Sequence, residues 1–382
     1  MSLHRVLVVL CVSTVIAAAV YAGEPEPSTV APVEADVVTA FDDEQVSIEA
    51  AEEACIAEVR RVCRCCPEWG SYAVFDVLFL QRDNATNGQP IALGSDNSAA
   101  PGATILTTRS MQFATAPGVR LLYGRRGADN IGWEVGYIGV YGMFADAEVD
   151  AVDQFTVPGD LGQAVPGWAT ADVERPTYSS NLNIIETNVF LYECSNECDP
   201  CALLACRRSH RCRCTDLMAG FFWAGLDEQA NLNVRCCVGE PLTAYSVNTS
   251  SNLFGAQIGL RRRADWCRWA FERTYKVGLA GASLYQSAGP ITSPIASGSL
   301  TRDPKHDFGG GVGMLSQINW TAVYRINRHW GLRAGYNLIW LQGVALAPDQ
   351  WDFTDTAASG SQLVGGGGLF LQGANLGLER RW

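Results

Sequence analysis

The sequence predicts an all-β protein, an antiparallel transmembrane β-barrel of about 10 strands (10–12), preceded by a short N-terminal helix and a cysteine-rich periplasmic segment. Three observations predict it. Segments of period-two alternation recur along the chain, the connections between them alternate long and short, and the chain ends on an aromatic residue in NLGLERRW. The clearest segment is Trp330 to Trp340, WGLRAGYNLIW. One parity holds Trp330, Leu332, Ala334, Tyr336, Leu338 and Trp340, whereas the other holds Gly331, Arg333, Gly335, Asn337 and Ile339. One face is therefore apolar and the other mostly small or polar. Ten residues at about 3.3 Å each, tilted roughly 40°, cover about 25 Å, the height of a lipid-facing band, with a tryptophan at each boundary. A soluble sandwich with one buried face would give the same alternation in any single segment, so the neighbouring segments decide.

Composition narrows the class. The chain has 382 residues, 48% hydrophobic and 18% charged, and is poorer in charge than soluble domains at about 25%. A mean hydropathy of +0.03 excludes a helical-bundle membrane protein. Beyond the N-terminus no apolar run is long enough for a membrane helix, while barrel strands, which alternate, escape such a scan. The net charge of −12 and the lack of a Lys/Arg stripe interleaved with aromatics argue against nucleic acid as a partner.

Taken in order, residues 1–22 read as a signal peptide: His4 and Arg5, an apolar run from Val6 to Val20, and small residues before a cut after Ala22. Residues 23–53 form an acidic linker with ten acidic residues and no basic one, a composition that cannot bury enough apolar surface to offset ordering. Residues 54–68 are expected as a cysteine-bearing helical segment, the helical spacing starting at the end of the linker with Ile48 and Ala51 and continuing through Cys55, Val59 and Val62, with Ser47 a candidate N-cap. Residues 69–382 are the barrel, with strands expected near 70–82, 118–126, 131–145, 178–193, 217–235, 250–262, 267–285, 308–326, 329–343 and 368–382, the first and fourth without a clear face. Connections 83–117, 146–177, 236–249, 286–307 and 344–367 are long, whereas RRGADN, RRRAD and NRH are short. Barrels of this class place short turns in the periplasm and long loops outside. Only 194–216, a cysteine-rich insertion, breaks the rule. An even strand count leaves both termini in the periplasm.

The chain's end, with Asn375, Gly377 and Trp382, resembles the terminal pattern read by barrel-insertion machinery, although Arg380 stands where that pattern wants an apolar residue. FDVLFLQRDN, IGWEVGYIGVYGMF, LMAGFFWAGLDEQANLNV and SSNLFGAQIGLRRR, in this order, resemble the planctomycete-type beta-barrel porin family (family seven) over about residues 69–382. The resemblance implies an outer-membrane barrel. The cysteine cluster departs from it.

Thirteen cysteines remain after signal removal: Cys55, Cys63, Cys65, Cys66, Cys194, Cys198, Cys201, Cys206, Cys212, Cys214, Cys236, Cys237 and Cys267. Export makes disulfides the default. The simplest arrangement is a periplasmic cap linking Cys55–Cys66 to Cys194–Cys214, with Cys236 and Cys237 at the other end and out of its reach. The competing reading is zinc, from Cys198-x-x-Cys201 and His210-x-Cys212-x-Cys214, but a second clean Cys-x-x-Cys pair is missing. No metal or other cofactor is expected.

With apolar faces on lipid, the opposite parity supplies lumen candidates: Arg120, Arg126, Glu134, Arg261, Lys276, Gln317, Asn319, Arg325, Arg333, Asn337, Glu379 and Arg381. An open pore with this cationic lining would pass small hydrophilic solutes and favour anions. Alternatively the arginines pair with carboxylates and plug the lumen, since small barrels are filled by side chains, which would leave a structural or adhesive surface barrel acting through its loops. Those loops, 83–117 and 146–177, are rich in Gly, Ala, Pro, Asp and Asn, the composition of exposed segments. A rim hydrolase is a further class, with His306 near Asp303 and Asp307 its one placed candidate, but neighbours on a strand point to opposite faces. Assembly into a homo-oligomer is compatible with this reading.

Overall fold

The structure is a computed structural model that describes residues 70–197, 211–237, 239–266, 268–292 and 300–382. The expected signal, linker and helix lie outside these residues. Fifteen strands and one short helix follow in order: β1 (Ser71–Arg82), β2 (Pro90–Gly94), β3 (Thr104–Thr107), β4 (Thr115–Arg126), β5 (Ile131–Asp146), β6 (Val149–Thr156), α1 (Gly159–Ala164), β7 (Ala171–Glu197), β8 (Arg211–Arg235), β9 (Thr243–Trp266), β10 (Trp269–Ala288), β11 (Ile291–Thr292), β12 (Leu300–Arg302), β13 (Lys305–Arg325), β14 (Trp330–Val344) and β15 (Gly367–Arg381).

Ten long strands form one antiparallel sheet in which each pairs with its neighbours in the chain. The pairing runs β1–β4–β5–β7–β8–β9–β10–β13–β14–β15, and β15 returns to β1 from Tyr72↔Arg381 to Arg82↔Leu371. Every long strand thus has a partner on both sides, which leaves no open edge. All ten expected segments are strands.

Alternation explains the wall. On β14, Trp330, Leu332, Ala334 and Tyr336 face outward and Gly331, Arg333 and Asn337 inward. The outward row on β9 is Phe254, Ala256, Ile258 and Leu260, flanked by Asn252 above and Arg262 below. At the end with the short turns, Tyr123 stacks edge-on to Trp133 at 5.5 Å, Trp382 lies 6.1 Å from Tyr123, and Trp269 lies 5.1 Å from Tyr324. These aromatics ring the apolar belt.

Two local devices shape the ladder. The β4–β5 turn is closed by the Gly127 N–H donating to Ile131 O at 2.8 Å, with Asn130 at φ 61, a conformation asparagine tolerates. At Gly343 (φ 83) the β14–β15 register slips; a Cβ there would sit 2.5 Å from Val312 O, so the bulge requires glycine.

Two expectations are corrected here. The strands β7, β8 and β9 run well past their expected bounds, so that the 194–216 insertion shrinks to 198–210, a stretch outside the described residues. Their alternation continues beyond the apolar belt with polar residues outward, Thr177, Ser179 and Asn181 on β7, and a hydropathy pattern ends where the ladder does not. The loops 83–117 and 146–177 are not simply exposed. Ile91, Met111, Leu161, Val165 and Trp168 have 0% exposure, because β2, β3, β6 and α1 fold these connections against the inside of the wall.

Candidate functional site

The interior divides into two zones, and the inward row of each strand shows the boundary. On β14 Arg333 and Asn337 give way to Ile339 and Leu341; on β5 Glu134 gives way to Ile138 and Val140; on β7 Glu186 gives way to Ile184 and Leu182. The turn-end half is charged. The loop-end half is a hydrocarbon core.

In the turn-end zone nearly every ionic group meets its opposite. Arg120 Nε donates to Asp76 Oδ2 at 2.8 Å and its Nη1 to Asn337 Oδ1 at 3.0 Å. Arg333 Nη1 lies 2.7 Å from Glu379 and its other nitrogens reach Asp76 and Glu272 at 3.4 and 3.5 Å. Arg263 is shared by Asp265, Glu272 and Glu379 at 3.2–3.4 Å. Arg261 Nη2 donates to Glu134 at 2.5 Å, while Tyr72 OH donates to the same carboxylate at 2.9 Å. Arg126 bonds Asp216 at 2.7 Å. Lys276 pairs with Glu186, Arg325 with Asp265, and Arg381 with Glu379. Asn319 Nδ2 donates to Asn337 Oδ1 at 2.7 Å, and Gln317 Nε2 reaches Glu186 at 3.5 Å. Held in a low-dielectric wall, such pairs persist only when extensively partnered, although Asp76 Oδ1, Arg261 Nε and Arg263 Nη2 accept or donate no hydrogen bond among the described residues.

The predicted lumen residues thus all lie in this zone, Arg325 and Arg381 at its mouth with about a third of each side chain exposed. What parity did not deliver is the carboxylate half. Asp76, Glu186, Asp216, Asp265 and Glu272 also face in, so the expected cationic lining is corrected to a nearly balanced one. Asp76 and Glu186 sit in the two segments whose faces were unclear, and Asp216, Arg263 and Asp265 just beyond expected strand ends. Glu272 shares the parity of Lys276 and was legible. The space left is a cavity of about 570 Å³ lined by Ser71, Arg126, Arg263, Lys276, His329 and Trp382 among others, open toward the short turns.

In the loop-end zone, buried apolar side chains from all ten wall strands form one cluster with those of four infolded connections, Ile291 of β11 among them. Leu78, Ala116, Val140, Leu182, Leu226, Leu253, Leu284, Leu315, Leu341 and Leu371 come from the wall; Met111, Trp168, Leu346, Ala347 and Trp351 come from the connections. The segment 345–352 crosses this core and is pinned at several points. Glu228 takes Arg82 Nη1 at 2.5 Å, Tyr178 OH at 2.8 Å and the Ala347 N–H at 3.0 Å. The Arg82 guanidinium also lies over the Phe113 and Tyr178 rings at 4.7 and 4.8 Å. Ala345 N–H donates to Ser251 Oγ at 3.1 Å, and Trp351 Nε1 to Tyr245 O at 3.2 Å. Asn87 N–H donates to Asp349 Oδ1 at 2.9 Å; burial pushes the Asp349 carboxyl up to about 6, against that hydrogen bond. None of Arg82, Glu228 or Asp349 was singled out from sequence, since their partners lie far away in the chain.

The remaining candidates separate. Cys194 and Cys214 are disulfide-bonded to each other across the β7–β8 ladder, where they face in register, so neither is available to a cap linked to Cys55–Cys66 or to zinc. Cys55, Cys63, Cys65, Cys66, Cys198, Cys201, Cys206, Cys267 and His210 lie outside the described residues, and Cys212 stands on β8 opposite Asn196 of β7. Among the described residues Cys236 and Cys237 are free thiols, the Cys237 Sγ lying 2.9 Å from that of Cys236. Among the described residues no three His, Cys, Asp or Glu side chains converge to hold a metal. His306 lies on the outward face 6.3 Å from the Phe308 ring, while Asp307 accepts the Leu363 N–H at 2.9 Å. The two diverge as period two requires.

A ring of antiparallel strands with an apolar, aromatic-bounded exterior and a filled interior defines the class of β-barrel membrane proteins. Within that class the chain matches the family model described as beta barrel porin-7 (BBP7) over residues 183–382, and belongs to that family. No curated protein matches it. Among solved structures it is similar to the outer membrane protease OmpT from Escherichia coli, at 9% identity and TM-score 0.45, covering 83% of this chain and 99% of that one. It is also similar to a Pseudomonas aeruginosa FadL homologue at 9% identity and TM-score 0.24, covering 82% and 90%. The Pseudomonas putida toluene transporter TodX stands at 10% and 0.24, covering 83% and 90%.

Proposed function

We propose that the protein is an outer-membrane barrel closed to solutes in this conformation, serving as a structural or surface-displaying barrel rather than an open porin. The carrying observation is the one apolar cluster to which all ten wall strands and four connections contribute. Ions crossing it would lose their water against a mostly apolar lining whose buried charges, Arg82 and Glu228, are already paired with each other. The turn-end cavity is then a vestibule that ends blind against this core, and its balanced pairs offer a solute little uncompensated charge. In this reading the apolar belt faces lipid, the turns face the periplasm, and the core presents the outer rims of β7, β8 and β9 as a rigid platform. The name of the family, a porin, keeps small-solute passage as the competing reading, which requires the 345–352 segment to leave the lumen.

The test is single-channel recording of the refolded mature protein in a planar bilayer. The folded protein is expected to insert and pass no steps, while a variant lacking residues 345–352 that still folds conducts. Steps of stable size from the intact protein overturn the closed reading and restore the open pore.

A further inference from the structure

The outer wall carries a surface groove of about 920 Å³ that is unrelated to the lumen. Its floor is apolar, with Phe75, Leu121, Val135 and Leu378 each exposed by 42–47%. At its turn-end limit the floor meets Arg380, Trp330 and Trp382. The Arg380 guanidinium is placed 5.3 Å from the Trp330 ring and 5.4 Å from the Trp382 ring. That arrangement follows from register: Arg380 stands opposite Trp330 on one side and Ala73 on the other, and a small residue at 73 leaves the side chain room to lie along the wall.

Two features single out this end. Arg380 makes no ion pair or hydrogen bond through its side chain among the described residues, in contrast to Arg381 beside it, which turns inward to Glu379. Arg125, also outward and exposed, is likewise unpaired among them, and lies one strand beyond β1 in the same ring of aromatics. An arginine held flat by rings keeps its edge donors free, and a guanidinium edge fits phosphate oxygens in a bidentate way. An aromatic girdle sits at headgroup level, so these two cations meet the membrane at phosphate depth, Arg125 opposite Trp133 beside the groove and Arg380 at its end, from which the groove runs into the hydrocarbon.

We propose that the groove is a binding site for an anionic glycerophospholipid of the periplasmic leaflet, one acyl chain lying on Phe75, Leu121 and Val135 and the phosphate held by Arg380 and Arg125. The inference rests on the membrane reading above. Charge complementarity selects the occupant: unpaired cations next to an apolar channel match a negative headgroup with a chain attached, and a zwitterionic lipid returns part of the attraction through its own cation.

Tryptophan fluorescence in vesicles containing acyl-brominated lipid tests both claims separately. At equal mole fraction, brominated phosphatidylglycerol should quench more than brominated phosphatidylcholine, with an apparent affinity about fivefold higher. The excess should vanish in the double variant Arg125→Gln/Arg380→Gln and shrink for the wild type in high salt. Equal quenching by the two lipids in the wild type overturns the site and leaves the membrane reading standing. Quenching by neither overturns the membrane reading itself. The wild-type comparison and its salt dependence need no variant, so a failure of the double variant to fold leaves the test intact.

Discussion

The buried Arg82–Glu228 pair shows how a single residue couples wall and plug. Both side chains have 0% exposure, and Glu228 also receives the Ala347 N–H of the crossing segment. Removing one partner leaves a charge buried without compensation, a loss of about 3–5 kcal/mol. Glu228→Gln is therefore expected to lower the urea unfolding midpoint in detergent strongly, and Arg82→Met/Glu228→Gln to cost less than the two single changes added together. Asp349 makes a pH-dependent contribution. Its carboxyl titrates near 6 when folded and near 3.8 as a free side chain, so between those values the folded state holds the extra proton. Stability then falls as pH rises through about 4 to 6 and levels off above, by at most about 3 kcal/mol. Comparing unfolding midpoints at pH 4 and pH 7, Asp349→Asn should flatten that part of the difference. An equal difference in both proteins would rule out Asp349 as its source.

At the scale of the element, the ladder is set by alternation and adjusted at a few points. Gly343 combines φ 83 with a carbonyl that a Cβ would approach to 2.5 Å. Gly343→Ala is expected to cost about 2 kcal/mol or more, read as a lower unfolding midpoint and a smaller heat-resistant folded band on a gel. The β7–β8 hairpin is tied by Cys194–Cys214, which closes a separation of 20 residues. A loop of that length is worth about 3 kcal/mol through the unfolded chain. Non-reducing peptide mapping should recover the linked Cys194 and Cys214 peptides, and Cys194→Ser/Cys214→Ser should unfold at correspondingly lower urea. Strand existence was legible element by element, because each segment needs only its own residues to display period two. Strand ends were less so: β7 continues to Ala171 with Thr177 and Ser179 outward, where water replaces lipid and the apolar signal stops while the hydrogen bonds go on.

For the whole molecule, the interior is a joint product of all ten strands and the connections that enter it. Closure puts Arg120 of β4, Asn337 of β14 and Asp76 of β1 within hydrogen-bonding reach, although 217 residues separate the first two. Parity alone placed Arg120, Arg261 and Arg333 inside. It could not say which carboxylate each would find, since partner choice depends on barrel register and on how many strands close the ring. The same limit applied to the loops. Residues 83–117 have a surface composition, yet Ile91, Met111 and Phe113 are core, because a polar loop needs only a few apolar residues, suitably spaced, to dock into a cavity prepared by others.

The sequence by itself determined the antiparallel wall, most of the lipid-facing and inward-facing rows, the alternation of turns and loops, and most of the cations that face in, Arg82 and Arg263 excepted. These are consequences of period two and chain direction, which are local. Only the tertiary structure decided that the cations are neutralised, that Cys194 pairs with Cys214, and that the loop-end half of the lumen is filled. Those depend on groups brought together when the ring closes, and the free energy of burying them is defined only by the neighbours that closure supplies.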